Sequence, residues 1–200
     1  MTEREYEHLL GISTTGIQTD DLDTYHDHRY EPTDYAVLER IRSSELVRSH
    51  DCVVDYGCGK GRLSFFLSHF LGCRTKGIEK NERYYRAAEQ NRYHYQHKHG
   101  LNERITFIHC DAAQYPIERE DSCFYFFCPF SIEVFRTVIW RIEEAVDELG
   151  IAPTLLLYYP AQEYCEFLEE QTRFSLCSEW RIFPDSQDPR EVLQVYRLER

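Results

Sequence analysis

The stretch that decides the fold is "VVDYGCGKGRLSFFLS", residues 53–68. An apolar run ends at Tyr56, glycines stand at Gly57, Gly59 and Gly61, and a second apolar run follows. In that second run Leu63, Phe66, Leu67 and Phe70 recur at the i, i+3, i+4, i+7 spacing of one helix face. The pattern predicts a strand, a tight glycine turn and a helix. Such a turn usually holds part of a nucleotide-like ligand at the helix N-terminus.

Working outward, the flanks extend the same alternation. Upstream, residues 1–30 read as polar and irregular; then, after Pro32 and the potential cap Thr33, "DYAVLERIRSSEL" places Val37, Leu38 and Ile41 at helical spacing. Downstream, "CRTKGIE" reads as a strand, "NERYYRAAEQNRYHYQ" as a helix, "RITFIHC" as a third strand and "SCFYFFC" as a fourth. Ser131 is a candidate cap for a helix carrying Phe135, Val138, Ile139, Ile142, Val146 and Leu149 on one side, with Gly150 as its stop. "TLLLYY" makes a fifth strand and leads into a short helix around residues 164–168. "FSLCSEWRIF" and "EVLQVYRLE" alternate like half-exposed strands with no helix between them, so they are expected to pair antiparallel. The fold class that follows is α/β: a doubly wound, mostly parallel seven-stranded sheet with a C-terminal antiparallel hairpin and helices on both faces. Ligands in such sheets bind beyond the carboxyl ends of the strands, where the strand order reverses. The expected domain layout is an N-terminal lid or extension over residues 1–33 and one domain over 34–200.

Composition narrows the partners. A chain of 200 residues suits one core rather than two. A formal charge of −12 repels phosphate backbones, so nucleic acid ranks below protein or small-molecule partners. The modest basic cluster of Arg83, Arg86, Arg92 and Lys98 reads as a solvated helix face. "MTEREYEHLL" has charges where a signal peptide has its apolar run, and no stretch reaches the ~20 apolar residues of a membrane span, so a cytoplasmic protein is expected. Eight cysteines without a C-x-x-C pair, with Cys52, Cys110, Cys123 and Cys128 in or beside apolar runs, read as free thiols in a reducing compartment. His94, His97 and His99 lack a carboxylate or Cys at ligand spacing and read as an exposed helix end, so no metal is assigned.

Three ligands compete for the glycine loop. A phosphate-binding P-loop needs G-x-x-x-x-G-K-[ST], and no Ser or Thr follows Gly61. A dinucleotide loop needs a third glycine where Arg62 stands. S-adenosylmethionine has no phosphates, a positive sulfonium, and a tail with an ammonium and a carboxylate. Asp55, at the strand end before the loop, is unfavourable beside pyrophosphate and favourable near an ammonium. The glycines let backbone N–H groups approach the carboxylate end. Glu79 ends the second strand, where a carboxylate accepts hydrogen bonds from ribose hydroxyls, and Asp111 ends the third, where it can receive an adenine amino group. Acids at three successive strand ends fit this cofactor best.

With these motifs in place, the chain from about residue 30 onward resembles class I S-adenosylmethionine-dependent methyltransferases. "VVDYGCGKG" looks like their first motif, "GIEKN" like the ribose acid, "HCDAA" like the adenine-contacting segment and "FYFFCPFS" like the fourth motif. More closely, "RYEPTDYAVLERI" and "FFCPFS" resemble a bacterial branch of these enzymes, and "EPT" is similar to the P-T-P stretch of seven-strand protein lysine methyltransferases. The resemblance implies that Asp55, Gly57, Gly59 and Gly61 hold the methionine end, Glu79 the ribose, and Asp111 with Ala112 the adenine. It also implies that Tyr30, Pro32 and Thr33 close over the methionine end.

The implied reaction moves a methyl group to a protein side chain or a small molecule. Methyl transfer is an in-line displacement at an already activated carbon, so catalysis rests on positioning. Cys128, Pro129 and Phe130 are the expected acceptor-site residues. In related amino methyltransferases the motif begins with Asn or Asp; Cys128 is a poor hydrogen-bond acceptor, which counts against amide or exocyclic-amine methylation. Tyr25, His26, His28 and Tyr30 are expected over the cofactor, with a His there as a possible general base or a bystander in a solvated loop. Two rivals stand beside this reading: a cofactor-binding sensor or partner module without transferase activity, and a nicotinamide-dependent reductase, against which Arg62 argues. Oligomeric state and the acceptor's identity are open at this level.

Overall fold

The computed structural model describes residues 1–16 and 31–198. Residues 1–16 are not irregular. Helix α1 spans Glu3–Leu10 and opens on a capping box, in which Thr2 accepts from the Glu5 N–H and the Glu5 side chain accepts from the Thr2 N–H. Gly11 closes it in the left-handed conformation, donating to the Glu7 and His8 carbonyls. Helix α2 spans Tyr35–Ser43, and its cap is Asp34, which accepts from the Ala36 N–H; Thr33 is not the cap.

The chain then alternates as the sequence predicts. Strand β1 (Cys52–Tyr56) is followed by α3 (Arg62–Leu71), β2 (Arg74–Glu79) and α4 (Glu82–His99). Next come β3 (Ile105–His109), a 3-10 turn at Ala112–Gln114, β4 (Cys123–Phe126) and α5 (Ile132–Leu149). Strand β5 (Thr154–Tyr158), α6 (Gln162–Gln171), β6 (Phe174–Arg181) and β7 (Val192–Leu198) complete the order. Ser131 occupies the N-cap position of α5 without a side-chain capping bond, and Gly150 ends that helix in the left-handed region.

The sheet order is β3-β2-β1-β4-β5-β7-β6. Strands β1 to β5 run parallel, while β7 pairs antiparallel with both β5 and β6. The expected hairpin is therefore present, with its second strand inserted beside β5. The order reverses between β1 and β4, which puts the ligand crevice above Tyr56 and Phe126.

Alternation along the central strands feeds two cores. Val53, Cys123, Tyr125 and Leu156 face one way, packing with Tyr6 and Leu10 of α1, Val37, Leu38 and Ile41 of α2, and Phe65, Phe66 and Leu67 of α3. Val54, Tyr56, Phe124 and Phe126 face the other way, against Phe135, Ile139 and Ile142 of α5 and Phe167 and Leu168 of α6. Helix α1 thus belongs to a core of the domain. All eight cysteines are free, and only Cys177 is fully exposed. On α4, Arg86 pairs with Glu82 at 2.6 Å one turn away, as a solvated face requires, while His99 Nε2 lies 2.9 Å from the Leu9 carbonyl of α1. No helix among the described residues is long and apolar enough to cross a membrane.

Candidate active site

Above β1 the chain turns through Gly57, Gly59 and Gly61, all at positive φ (73°, 55° and 87°). At Gly57 the backbone also approaches Pro129, so closely that a Cβ there would lie 2.6 Å from the proline Cβ. Only glycine meets both demands. The loop's amides are spent on the protein itself. Gly57 and Cys58 N–H groups donate to the Ile78 carbonyl at 2.9 and 3.1 Å, Gly59 to Glu79 Oε2 at 2.8 Å, and Gly61 to the Cys58 carbonyl at 2.9 Å. The sequence reading had these amides approaching a ligand carboxylate. Donors suited to that task are the first-turn N–H groups of α3, which a helix cannot satisfy internally.

The three acids sit in three different environments. Asp55 is buried at 5% exposure on the central strand. No hydrogen bond from a described residue offsets that burial, and desolvation together with the Glu79 charge pushes its carboxyl up to about 8. Glu79 is also buried, but its two oxygens take the Gly59 N–H and the Asn81 N–H, each at 2.8 Å. Asp111 is one-third exposed and caps the 3-10 turn by accepting from the Ala113 N–H at 2.9 Å.

One cleft brings together Gly57, Glu79, Asp111, Ala112, Pro129 and Phe130. Ile78, Lys80, Cys110 and Val134 also line it, and these escaped the sequence reading because nothing in their spacing distinguishes them from ordinary strand-end and helix residues. Asp55, Gly59, Gly61, Pro32, Thr33 and Cys128 are not on its walls. Phe130 is buried, with its ring 6.3 Å from Phe126 and 6.5 Å from Tyr56, and its carbonyl accepts from the Tyr164 hydroxyl. Cys128 has a positive φ of 41°, and burial raises its thiol pKa. Tyr159, just past β5, also has a positive φ, of 51°. Arg190 donates to the Tyr159 hydroxyl at 2.5 Å and lies 4.4 Å above its ring, so the β6–β7 connection reaches over this end of the sheet.

Sequence reasoning missed the work done by Arg62. This guanidinium, 4% exposed, donates to Thr14 Oγ1 at 2.7 Å, the Thr33 carbonyl at 3.1 Å and Glu3 Oε1 at 2.6 Å, and lies 4.6 Å over the Tyr35 ring. Glu7, 3.5 Å from the same guanidinium, accepts from the Thr14 N–H and the Tyr35 hydroxyl. The available signal was a lone charge at the head of an otherwise apolar helix, "RLSFFLSHFL". Thr33 is buried, and its hydroxyl sits 2.9 Å from the Tyr125 hydroxyl. Tyr30, with Tyr25, His26 and His28, lies outside the described residues.

Residues 53–149, from the glycine loop through α5, match the family model described as a methyltransferase domain. Solved structures share the fold at low identity. An RNA methyltransferase from Salinibacter ruber in complex with S-adenosyl-L-homocysteine superposes with a TM-score of 0.57 at 16% identity, covering 84% of this chain and 92% of its own. Magnesium protoporphyrin IX methyltransferase (ChlM) from Synechocystis PCC 6803, with bound SAM, gives 0.59 at 17%, covering 82% and 76%. TrmK of M. capricolum, in complex with S-adenosyl-homocysteine, gives 0.58 at 12%, covering 84% and 69%. No curated protein matches the chain in sequence. The seven-stranded sheet with its antiparallel end and the matched domain define the class. Residues 53–149 form a methyltransferase domain, and the fold is that of the class I S-adenosylmethionine-dependent methyltransferases.

Proposed function

We propose that this protein transfers the methyl group of S-adenosylmethionine to a protein side chain or small molecule seated above the ends of β4 and β5. The observation that carries the reading is Asp55: a buried carboxylate on the central strand, with no hydrogen bond from a described residue offsetting its desolvation. A buried anion of this kind is costly unless a cation joins it. The cofactor's ammonium is such a cation, and it belongs at the end of β1 in this fold. Glu79, whose oxygens take the Gly59 and Asn81 amides, stands at the end of β2, where a ribose hydroxyl would reach it. Asp111 and Ala112, across the cleft, suit the adenine.

When bound, the cofactor supplies a methyl carbon activated by its sulfonium. The chain's own contribution is placement. Pro129 packs against Gly57 and so ties the acceptor end to the loop that holds the methionine end. Cys128, Pro129 and Phe130 are the residues we assign to the acceptor side, and the Tyr164 hydroxyl fixes the Phe130 carbonyl. The −12 charge of the chain favours an acceptor other than a long nucleic acid. A second reading, a cofactor-binding module without transfer, is favoured by Cys128, a poor hydrogen-bond acceptor whose thiol pKa burial raises.

The test uses S-adenosylmethionine labelled on its methyl group, incubated with the protein and a desalted bacterial extract, with Asp55→Ala as control. Label above control in the protein or small-molecule fraction is the expected result and names the acceptor class. Tight S-adenosylhomocysteine binding with no label in any fraction selects the second reading. Absence of cofactor binding refutes both.

A further inference from the structure

Two constraints fix where α3 begins. Gly61 packs so close to Phe107 that an added Cβ would strike the Phe107 ring. The second constraint is Arg62, the first residue of the helix, whose guanidinium is buried. A cation in the first turn opposes the helix dipole, so Arg62 does nothing for α3 on its own. Its charge is met instead by Glu3 at 2.6 Å and Glu7 at 3.5 Å, both on α1. Its remaining bonds go to Thr14 Oγ1 and the Thr33 carbonyl. All of these partners lie outside the matched residues 53–149. The residues beside Thr14 are tied to the loop as well. Asn91 of α4 accepts from the Ser13 N–H at 2.9 Å and donates to the Lys60 carbonyl at 3.0 Å, while Lys60 Nζ donates to the Thr15 carbonyl at 3.2 Å.

We infer that Arg62 is a positioning residue for the cofactor: held by α1, Thr14 and Thr33, it sets where the first turn of α3 aims its N–H groups, so that cofactor affinity depends on α1. The inference rests on the reading that this turn receives the cofactor's carboxylate. Helix α1 contributes nothing to the walls of the cleft among the described residues, so its effect passes through Arg62. A guanidinium is a rigid, planar fork, and acceptors in three separate stretches of chain fix both its place and its tilt. The backbone that carries it is fixed with it. A lysine keeps the charge and loses the plane. Misplacement of a binding group by about 1 Å is enough to cost an order of magnitude or more.

The experiment is calorimetry of the full chain with S-adenosylhomocysteine, at a temperature where every variant is folded by circular dichroism. Arg62→Lys and Arg62→Met should both weaken binding by about tenfold. Leu168→Ala, on α6 in the opposite core, is the control: it lowers the thermal midpoint and should leave affinity unchanged. A merely structural role for Arg62 predicts that all three variants bind alike once folded. Wild-type affinity in Arg62→Lys, or an equal loss in Leu168→Ala, overturns the inference. Glu3→Gln, at a half-exposed position, replaces the Arg62 variants if they do not fold. It should weaken binding by about threefold, and unchanged affinity there overturns the inference equally. Amide exchange in the free protein separates this inference from the reading beneath it. The Thr14 N–H, bonded to Glu7, and the Phe65 N–H, bonded to the Gly61 carbonyl, should exchange about tenfold faster in Arg62→Lys. Faster exchange with no binding heat even in the wild type means that the cofactor reading fails and the placement of α3 by Arg62 stands. Unchanged exchange overturns that placement.

Discussion

The two halves of the sheet's carboxyl edge are built on opposite terms. Beyond β1, β2 and β3 the chain places carboxylates: Asp55 buried without a donor among the described residues, Glu79 buried and held by the Gly59 and Asn81 amides, Asp111 partly exposed. Beyond β4 and β5 it places rings and bent backbone: Cys128 and Tyr159 are non-glycine residues at φ 41° and 51°, next to Phe127, whose ring lies 4.8 Å from Tyr158. One end stores its strain as a carboxyl whose charged form is disfavoured by burial, the other as dihedral angles that side chains seldom adopt. A charge can be relieved by any ligand of opposite sign, so the first end prescribes its partner's chemistry. Dihedral strain fixes where a group points and leaves the partner's chemistry open.

The comparison breaks most severely at Asp55. If Asp55 holds the cofactor's ammonium as proposed, Asp55→Asn should weaken S-adenosylhomocysteine binding by about a hundredfold or more, through loss of the buried counter-charge. The same change should raise the thermal midpoint of the free protein above pH 8. The folded carboxyl titrates near 8 against about 3.9 when unfolded, so its contribution to stability is complete below pH ~4 and is lost as pH rises through 8. Asparagine has no such loss. Melting curves from pH 5 to 9 should therefore converge at the acid end and separate at the alkaline end; parallel curves would remove the buried charge from the account.

Gly57→Ala joins the two ends and comes next. Its methyl would lie 2.6 Å from the Pro129 Cβ on a backbone at φ 73°. A loss of about 2–4 kcal/mol is expected in urea unfolding, with both cofactor affinity and transfer reduced. An effect on affinity with transfer intact would mean that the Pro129 turn moves independently of the loop. The smallest effect belongs to Cys128→Asn. Asparagine tolerates positive φ better than cysteine, so stability should stay equal or rise by up to about 1 kcal/mol, with S-adenosylhomocysteine affinity unchanged. A clear fall in the thermal midpoint would show that packing around the sulfur, rather than backbone strain, governs that position.

Most of the sheet was legible in the residues because it rests on local periodicity and on glycine. The "VVDYGCGKG" turn, the stripe on α5 and the alternation in β6 and β7 are signals within one element. What escaped was non-local. Helix α1 carries a capping-box signature in Thr2 and Glu5 and a stop in Gly11, yet its buried face includes Glu7, which only the distant Arg62 and Tyr35 make tolerable. Thr33 looked like a cap because a hydroxyl before a helix usually is one; Asp34 took that place and Thr33 turned inward to Tyr125. The acid positions in the candidate site were readable as strand ends. Their differing states of hydrogen bonding were not, since these depend on which strands lie side by side.

The sheet order carries one more consequence, in the time domain. Strand β6 joins the sheet through β7, which lies between it and β5. Residues 174–181 therefore have no place to dock until residues 192–198 have seated against β5. Assembly must run out of chain order at this edge, a long-range step that slows folding and leaves β5 as an apolar margin in the interim. Pulse-labelling hydrogen exchange during refolding should find the amides of β6 gaining protection after those of β7; simultaneous protection of the two strands would show that the hairpin forms first and docks as a unit.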